Sequence, residues 1–144
     1  MSSNFLSRPL DWSKYDVVFA CAQKNLGPAG VTVIIVRKSL LGKKRPDTPI
    51  LCDWELFLNC GGFYNTPNVF GIYMCGLNLA HMKKNGLAYY DDLAKRRSSL
   101  IYDVIDNSNG FYKNEIDINC RSRMNCQFRL ATKEDDDAFL KAAT

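Results

Sequence analysis

Histidine is scarce in this sequence, and none of its cysteines forms a C-x-x-C pair. Structural zinc sites take their four ligands from such cysteine pairs and from histidines, and His81 is the single histidine among 144 residues. No metal site is therefore predicted. Six cysteines could also indicate a secreted disulfide framework, but Cys21, Cys75 and Cys126 lie inside apolar patterns, where thiols behave as small hydrophobes. The sequence favours reduced thiols in a cytoplasmic protein.

Long hydrophobic runs are also absent. No window approaches the roughly 20 apolar residues of a membrane span, and the opening segment MSSNFLSRPL has no apolar core of signal-peptide length. We therefore expect neither a membrane span nor a secretory leader. The sequence also shows no strong concentration of basic residues. Its net charge is +4, and the basic segments GKKRPD and AKRRSS are accompanied by the acidic segment KEDDDA. Without an aromatic and basic stripe, nucleic-acid binding is disfavoured.

What is present is the composition of a folded protein, since 47% of the 144 residues are hydrophobic. Residues 16–20 (DVVFA) and 31–36 (VTVIIV) are predicted to be strands. Such continuous apolar strands are typical of an α/β sheet that is covered on both faces. The intervening segment contains a GPAG turn and is too short for a crossover helix, so the strands are predicted to be antiparallel neighbours.

Residues 37–63 give weaker signals. The stretch RKSLLGKKRPDTP is polar and interrupted by proline, which predicts a surface loop. The stretch ILCDWELFLNCGGF is apolar without a clean period, and we interpret it as extended or irregular.

Two long helices are predicted next. In YNTPNVFGIYMCGLNLAHMKKNG, Thr66 occupies an N-cap position, Pro67 the first helical position and Gly86 the stop, which predicts a helix of about five turns. The helically spaced apolar residues are Val69, Phe70, Tyr73, Met74, Leu77 and Ala80. The second helix follows directly and ends over residues 107–110. A boundary between the two helices divides the chain into residues 1–85 and 86–144.

The last part of the chain changes its period. Apolar and polar residues alternate in RMNCQFRL, which predicts a strand over residues 123–130 with one polar face. The final stretch TKEDDDAFLKAAT predicts a helix with acidic residues at its positive end.

Lys24 is the first candidate for chemistry. It follows the first strand beside apolar walls, where partial desolvation would favour a neutral amine that can form a Schiff base. The flanking Gln23 and Asn25 could bind a polar ligand or could be ordinary turn residues. Spacing alone favours the alternative, a surface lysine at a turn.

Asn65 and Thr66 are the second candidate, at the start of the first long helix. Free backbone N–H groups and the helix dipole make such a start a site for anions, and both side chains add donors. The alternative is that Thr66 only caps its helix.

In this order, the segments AQKNLGPAGVTVIIVRKSLLG and YNTPNVFGIYMCGLNLAHMKKNG resemble those of phosphoserine aminotransferases. VIDNSNGFY and RSRMNCQFR match two further patterns of that family, and MSSNFLSRPLD fits it as well. The resemblance covers residues 1 to about 131. The chain departs from the family at Asn68, where a second proline is usual, and at Cys21, where a small residue such as glycine is usual.

The resemblance implies the fold-type I, α/β fold of enzymes that depend on pyridoxal 5′-phosphate. Residues 1–85 would be the end of the large domain and its sheet, and residues 86–144 part of the small C-terminal α+β domain. Lys24 would be catalytic, carrying the covalent link to the cofactor and moving a proton between substrate and cofactor. Gln23 would contact the cofactor phosphate. Asn65 and Thr66 would contact the cofactor phosphate of a partner subunit, because the family's sites lie at a homodimer interface.

The implied reaction transfers an amino group between glutamate and 3-phosphohydroxypyruvate, giving 2-oxoglutarate and phosphoserine in serine biosynthesis. The family's aspartate for the pyridine nitrogen and its substrate-binding arginines would fall outside residues 1–144, and Arg121 and Arg123 are interpreted as structural or interface residues. We therefore expect a fragment without both ends that is inactive alone and prone to aggregate. The alternative is a short protein without catalysis that binds a full-length subunit through the retained dimer surface.

Overall fold

The computed structural model describes residues 2–143 and divides into two compact units, Met1–Leu87 and Ala88–Thr144. We call them the N-terminal and the C-terminal unit. None of the helices within residues 2–143 has the length and apolar character needed to cross a membrane.

The N-terminal unit contains an antiparallel hairpin of β1 (Val17–Cys21) and β2 (Thr32–Val36). Phe19 lies opposite Ile34 in its register. The prediction of two antiparallel neighbours is confirmed, because β-branched and aromatic residues favour a pleated strand and the short connection permits only this direction.

Side chains of residues 2–143 cover one face of the hairpin and leave the other exposed. Ala20 is buried there among Phe5 and Leu26, with Val18 packed against them. On the other face, the side chains of Phe19 and Ile34 are 68% and 53% exposed. The expectation of a sheet covered on both faces is therefore not met within residues 2–143.

The segment after β2 holds short helical elements that the sequence did not predict. Two 3-10 turns at Lys38–Leu40 and Ile50–Cys52 precede α1 (Trp54–Asn59). The carboxylate of Asp53 accepts the N–H of Glu55 at 3.1 Å and caps α1. The interpretation of this stretch as extended or irregular was wrong, because six residues are too few to display a helical period.

Helix α2 spans Val69–Asn85, as predicted apart from its first residues. Its N-cap is Asn68, whose side-chain oxygen accepts the N–H of Gly71 at 3.0 Å, so the prediction of Thr66 as the cap was wrong. Gly86 ends the helix with a φ of 79°, a conformation that favours glycine.

The packed face of α2 is not its most apolar one. Gly71, Cys75 and Met82 are buried at helical spacing. The large apolar residues that predicted the helix face outward, and the most exposed of them are Val69, Phe70, Tyr73 and Leu77. α2 therefore packs Gly71, Cys75 and Met82 inward and presents an aromatic and aliphatic surface on its other side.

The C-terminal unit is built on α3 (Leu87–Asp106) and α4 (Lys133–Ala143), both predicted from the sequence. The buried face of α3 carries Ala94, Ser98, Tyr102 and Ile105. A 3-10 turn at Ile118–Cys120 lies between the two helices in the chain. Glu134, Asp135 and Asp136 occupy the first turn of α4, where the helix dipole favours negative charge.

The predicted strand over residues 123–130 is wrong, since the structure has a single antiparallel bridge there, between Lys113 and Arg129. Side chains take over the hydrogen bonds that a neighbouring strand would supply. Asp136 accepts the N–H of Leu130 at 2.8 Å, and the Ser122 hydroxyl accepts the N–H of Met124 at 3.2 Å. The alternating pattern therefore produces an irregular segment with Leu130 buried.

Candidate active site

Lys24 lies on a tight turn that directly follows β1, and we call residues 22–27 (AQKNLG) the lysine turn. The N–H of Gly27 donates to the carbonyl of Ala22 at 2.7 Å and closes the turn. The N–H of Ala22 donates to the carbonyl of Val31 at 2.9 Å, which continues the hairpin pairing. Gln23 and Lys24 are exposed on the turn.

Residues of the lysine turn on both sides of Lys24 are buried in the core. Ala22 and Leu26 are 0% and 1% exposed and belong to one cluster with Phe5 and Cys75. The side-chain amide of Asn25 donates to the carbonyl of Phe5 at 2.7 Å. These contacts hold the backbone of the turn, while the side chain of Lys24 stays outside the cluster.

The expected partial desolvation of Lys24 is therefore wrong for this chain, in which Lys24 is exposed. The apolar walls exist, but they bury Ala22 and Leu26 and not the lysine. No residue among 2–143 forms an ion pair with Lys24, so its amine is accessible to a ligand.

Side chains of helix α2 contact the backbone of the lysine turn. The side-chain amide of Asn78 donates to the carbonyls of Asn25 and Leu26, at 3.1 and 2.7 Å. One helical turn earlier, Gly27 lies against Cys75, and a Cβ built on Gly27 would come within 2.7 Å of the Cys75 Sγ. This close approach favours glycine at position 27.

Asn65 and Thr66 lie in an exposed segment that precedes α2. Because Asn68 provides the cap, the alternative in which Thr66 only caps its helix is excluded. Within residues 2–143, neither the Asn65 nor the Thr66 side chain has a hydrogen-bond partner. Both are thus available to a ligand.

The structure joins the two candidate segments through one intermediate residue. The Asn68 amide lies 3.5 Å from the carbonyls of both Ala29 and Gly30, at the end of the connection that carries Lys24. No hydrogen bond among residues 2–143 links Gln23 or Lys24 directly to Asn65 or Thr66. The sequence resemblance selected the candidate residues but not Asn68 and Asn78, the amides that brace the backbone around them.

Arg121 and Arg123 form ion pairs within the C-terminal unit, which agrees with their interpretation as structural residues. Arg121 donates to both carboxylate oxygens of Asp106 at 2.6 and 2.8 Å and lies over the ring of Tyr102. Arg123 pairs with Asp91. Hydrogen bonding to Arg121 lowers the pKa of Asp106 below its ordinary value of 3.8. Both arginines thus tie the segment after the 3-10 turn to α3.

The Arg121–Asp106 pair predicts a pH-dependent stability. Since folding depresses the pKa of Asp106, its contribution is complete above the ordinary value of 3.8 and is lost as the pH falls through the depressed value. Asp106→Asn should therefore lower the Tm of the C-terminal unit at pH 7, and the difference should vanish in strong acid. Thermal melts of both chains from pH 7 downward measure this. Asp92→Asn, which breaks an exposed pair with Arg96, is the control with little effect, and a pH-independent difference for Asp106→Asn would contradict the assignment.

Side chains within residues 2–143 form no group of three or more histidine, cysteine or acidic residues that could hold a metal ion. The donors gathered around the lysine turn are instead an amine and side-chain amides. Amines react with carbonyl carbons, and amides donate to anionic oxygens.

Comparison with known proteins gives one consistent result. The family model for class-V aminotransferases matches residues 1–144. A phosphoserine aminotransferase from Drosophila melanogaster is 51% identical over 142 residues, which are 98% of this chain and 39% of that protein. The chain therefore spans between 34% and 40% of the length of such curated relatives.

Two solved structures are similar in fold as well. A phosphoserine aminotransferase from Bacillus circulans subsp. alkalophilus matches with a TM-score of 0.90 and 43% identity, over 99% of this chain and 40% of that one. A pyridoxal-phosphate-bound phosphoserine aminotransferase from Trichomonas vaginalis matches with a TM-score of 0.87 and 39% identity, over 98% and 41%. These likenesses confirm the predicted α/β fold class.

Proposed function

Because this chain belongs to the class-V aminotransferase family, we propose that it acts in a phosphoserine aminotransferase that depends on pyridoxal 5′-phosphate. The reaction moves an amino group between glutamate and 3-phosphohydroxypyruvate, giving 2-oxoglutarate and phosphoserine for serine biosynthesis. The observation that carries this proposal is Lys24, which is exposed on a turn whose backbone is fixed by buried neighbours and side-chain amides.

The residues around the lysine turn fit this cofactor. Lys24 offers a primary amine for a carbonyl group, and Gln23 offers amide donors for phosphate oxygens. When bound, pyridoxal phosphate supplies an electron sink for the bonds at the substrate Cα. Lys24 would hold the cofactor covalently and, once released from it, would carry the proton between the substrate Cα and the cofactor. A fixed backbone helps with both the covalent link and the proton transfer, because the amine must reach the cofactor carbonyl and the substrate Cα from the same Cα position of Lys24.

Asn65 and Thr66 are proposed to bind the cofactor phosphate of a partner subunit in a homodimer. Their side chains are exposed and donate to no residue among 2–143, which leaves both for phosphate oxygens. The outward surface of α2 supports dimer formation, because the adjoining side chains of Val69, Phe70 and Tyr73 are 70%, 70% and 62% exposed. Burial of such a surface against a second copy would stabilise the site.

The two units are proposed to belong to the two domains of the family. Residues 1–85 would carry the cofactor as part of the large domain, and residues 86–144 would belong to the small C-terminal domain. The cytoplasm is the proposed compartment, in which six free cysteines remain reduced.

A reductive trap tests the role of Lys24. The 144-residue chain is incubated with pyridoxal phosphate and reduced with borohydride, and the modified lysines are mapped by mass spectrometry. We expect a stoichiometric pyridoxyl adduct at Lys24, because its amine is the exposed group on the fixed turn. Lys24→Ala should lose this adduct.

The matched control is Lys38→Ala, which removes an exposed lysine just after β2 and should leave the Lys24 adduct unchanged. Adducts scattered over many lysines, with the same total in Lys24→Ala, would contradict the proposed site in this chain.

A further inference from the structure

Asn78 contacts the lysine turn without reaching Lys24 itself. Its side-chain nitrogen donates to two consecutive backbone carbonyls, those of Asn25 and Leu26, at 3.1 and 2.7 Å. We propose that Asn78 is a positioning residue for Lys24, an inference that rests on the proposed function of that lysine.

The position of Asn78 follows from the packed face of α2. Gly71, Cys75 and Asn78 are spaced four and three residues apart and therefore lie on one side of the helix. The first two are small and allow the connection between β1 and β2 to approach the helix closely, as the contact between Gly27 and Cys75 illustrates. Asn78 is thereby brought within hydrogen-bonding distance of the turn.

The two carbonyls need this donor. The turn is closed by the Ala22 carbonyl and the Gly27 N–H, and this bond leaves the carbonyls of Asn25 and Leu26 inside it without a backbone donor among residues 2–143. Asn78, which bonds both carbonyls, is half-buried, and Leu26 itself is buried. Without an amide at position 78, the peptide planes after Asn25 and Leu26 would rotate to reach water.

Such a rotation would change the geometry of Lys24. A peptide unit is planar, so turning the carbonyl of Asn25 changes the ψ angle of Asn25, the residue that follows Lys24. The other anchor nearby is the Asn25 side chain on the carbonyl of Phe5, at 2.7 Å. Asn25, the residue that follows the lysine, is therefore held at two points. Its side chain is bonded to Phe5, and its backbone carbonyl is bonded to Asn78.

Asn78→Asp tests this assignment with almost no change in volume. A carboxylate accepts but does not donate, so it faces the two carbonyls without a hydrogen bond. We expect about tenfold slower pyridoxyl labelling of Lys24 under borohydride, from the loss of two hydrogen bonds. Asn78→Gln, which keeps the amide donors, should recover most of the rate.

A second readout does not involve the cofactor. Hydrogen exchange of the Gly27 amide, which closes the turn, should be about tenfold faster in Asn78→Asp. Exchange of the Ala20 amide, which lies in a hydrogen-bonded pair with Val33 in the hairpin, should stay unchanged. A purely structural role would accelerate both amides together. Asn85→Asp is the matched control, because Asn85 also lies on α2 but bonds to His81 within the helix.

The outcomes separate the two proposals. Specific labelling of Lys24 that Asn78→Asp leaves unchanged would overturn the positioning role and keep the proposed function. Absence of specific labelling in the unchanged chain would overturn the proposed function of this chain, and exchange of the Gly27 amide would then decide whether Asn78 holds the turn. Equal exchange in both chains would overturn that role as well.

Discussion

Replacing Leu26 with alanine should lower the free energy of unfolding of the N-terminal unit by about 2–5 kcal/mol. Leu26 is 1% exposed and packs in the same cluster as Phe5, Ala20 and Cys75. Its removal takes buried methyl groups from the core and leaves a cavity that the short hairpin cannot refill. Since Leu26 also belongs to the lysine turn, the loss of stability should be accompanied by mobility of that turn.

Urea unfolding of the two chains, followed by hydrogen exchange in residues 17–36, measures this loss in the N-terminal unit. Leu58→Ala is the matched control, because Leu58 is 59% exposed on α1 and should change stability by less than about 0.5 kcal/mol. Equal effects of the two substitutions would contradict the core described around Leu26.

Gly27→Ala should also destabilise the N-terminal unit, by about 1–3 kcal/mol, through overpacking. The added Cβ would lie 2.7 Å from the Cys75 Sγ, and the next atom, the Cys75 Cα, is 3.4 Å away. The sulfur is therefore the atom that must move. Cys75→Ala removes it, so the double substitution should be more stable than the sum of the two single effects.

Gly76→Ala is the control for the Gly27 prediction, with the opposite sign expected. Gly76 lies inside α2, and a Cβ added there would have no neighbouring atom within 4 Å, so alanine meets open space. The substitution should stabilise α2 by about 1 kcal/mol, since glycine costs that much in a helix interior. Urea unfolding of Gly76→Ala and of the four-chain cycle at positions 27 and 75 checks both signs. Strict additivity between positions 27 and 75 would contradict the contact.

The sequence predicted the elements that are long and periodic. α2 and α3 hold their spacing over 17 and 20 residues, and the hairpin follows from two β-branched runs with a short connection. α1 has six residues, which is below two full turns, and no period can be recognised over that length. For residues 123–130 the alternation was real, but a strand also needs a neighbour, and the bonds of Asp136 and Ser122 depend on the fold.

The candidate site divides in the same way. Lys24, Gln23, Asn65 and Thr66 follow from the resemblance, because a motif carries the identity of its reactive residues. The residues that hold the lysine turn in place do not follow from the resemblance. In the sequence, Asn78 is one polar residue on an otherwise apolar helix, and its role becomes visible only from its distance to the turn. The exposure of Lys24 agrees with the alternative that its spacing favoured, a surface lysine at a turn. The expected desolvation failed because the apolar neighbours Ala22 and Leu26 are buried in the core without covering the lysine.

The pairing of Asn78 with Asn25 has a consequence for the order of folding. The two residues are 53 positions apart, whereas the hairpin and α2 are each built from contacts between near neighbours in the chain. Contacts between distant residues carry the larger loop-closure entropy and are expected to form after local ones. During synthesis, the segment around Lys24 leaves the ribosome well before Asn78, the residue that holds it. The reactive amine should therefore reach its final geometry only when α2 docks, so that assembly of the unit and readiness of the lysine coincide.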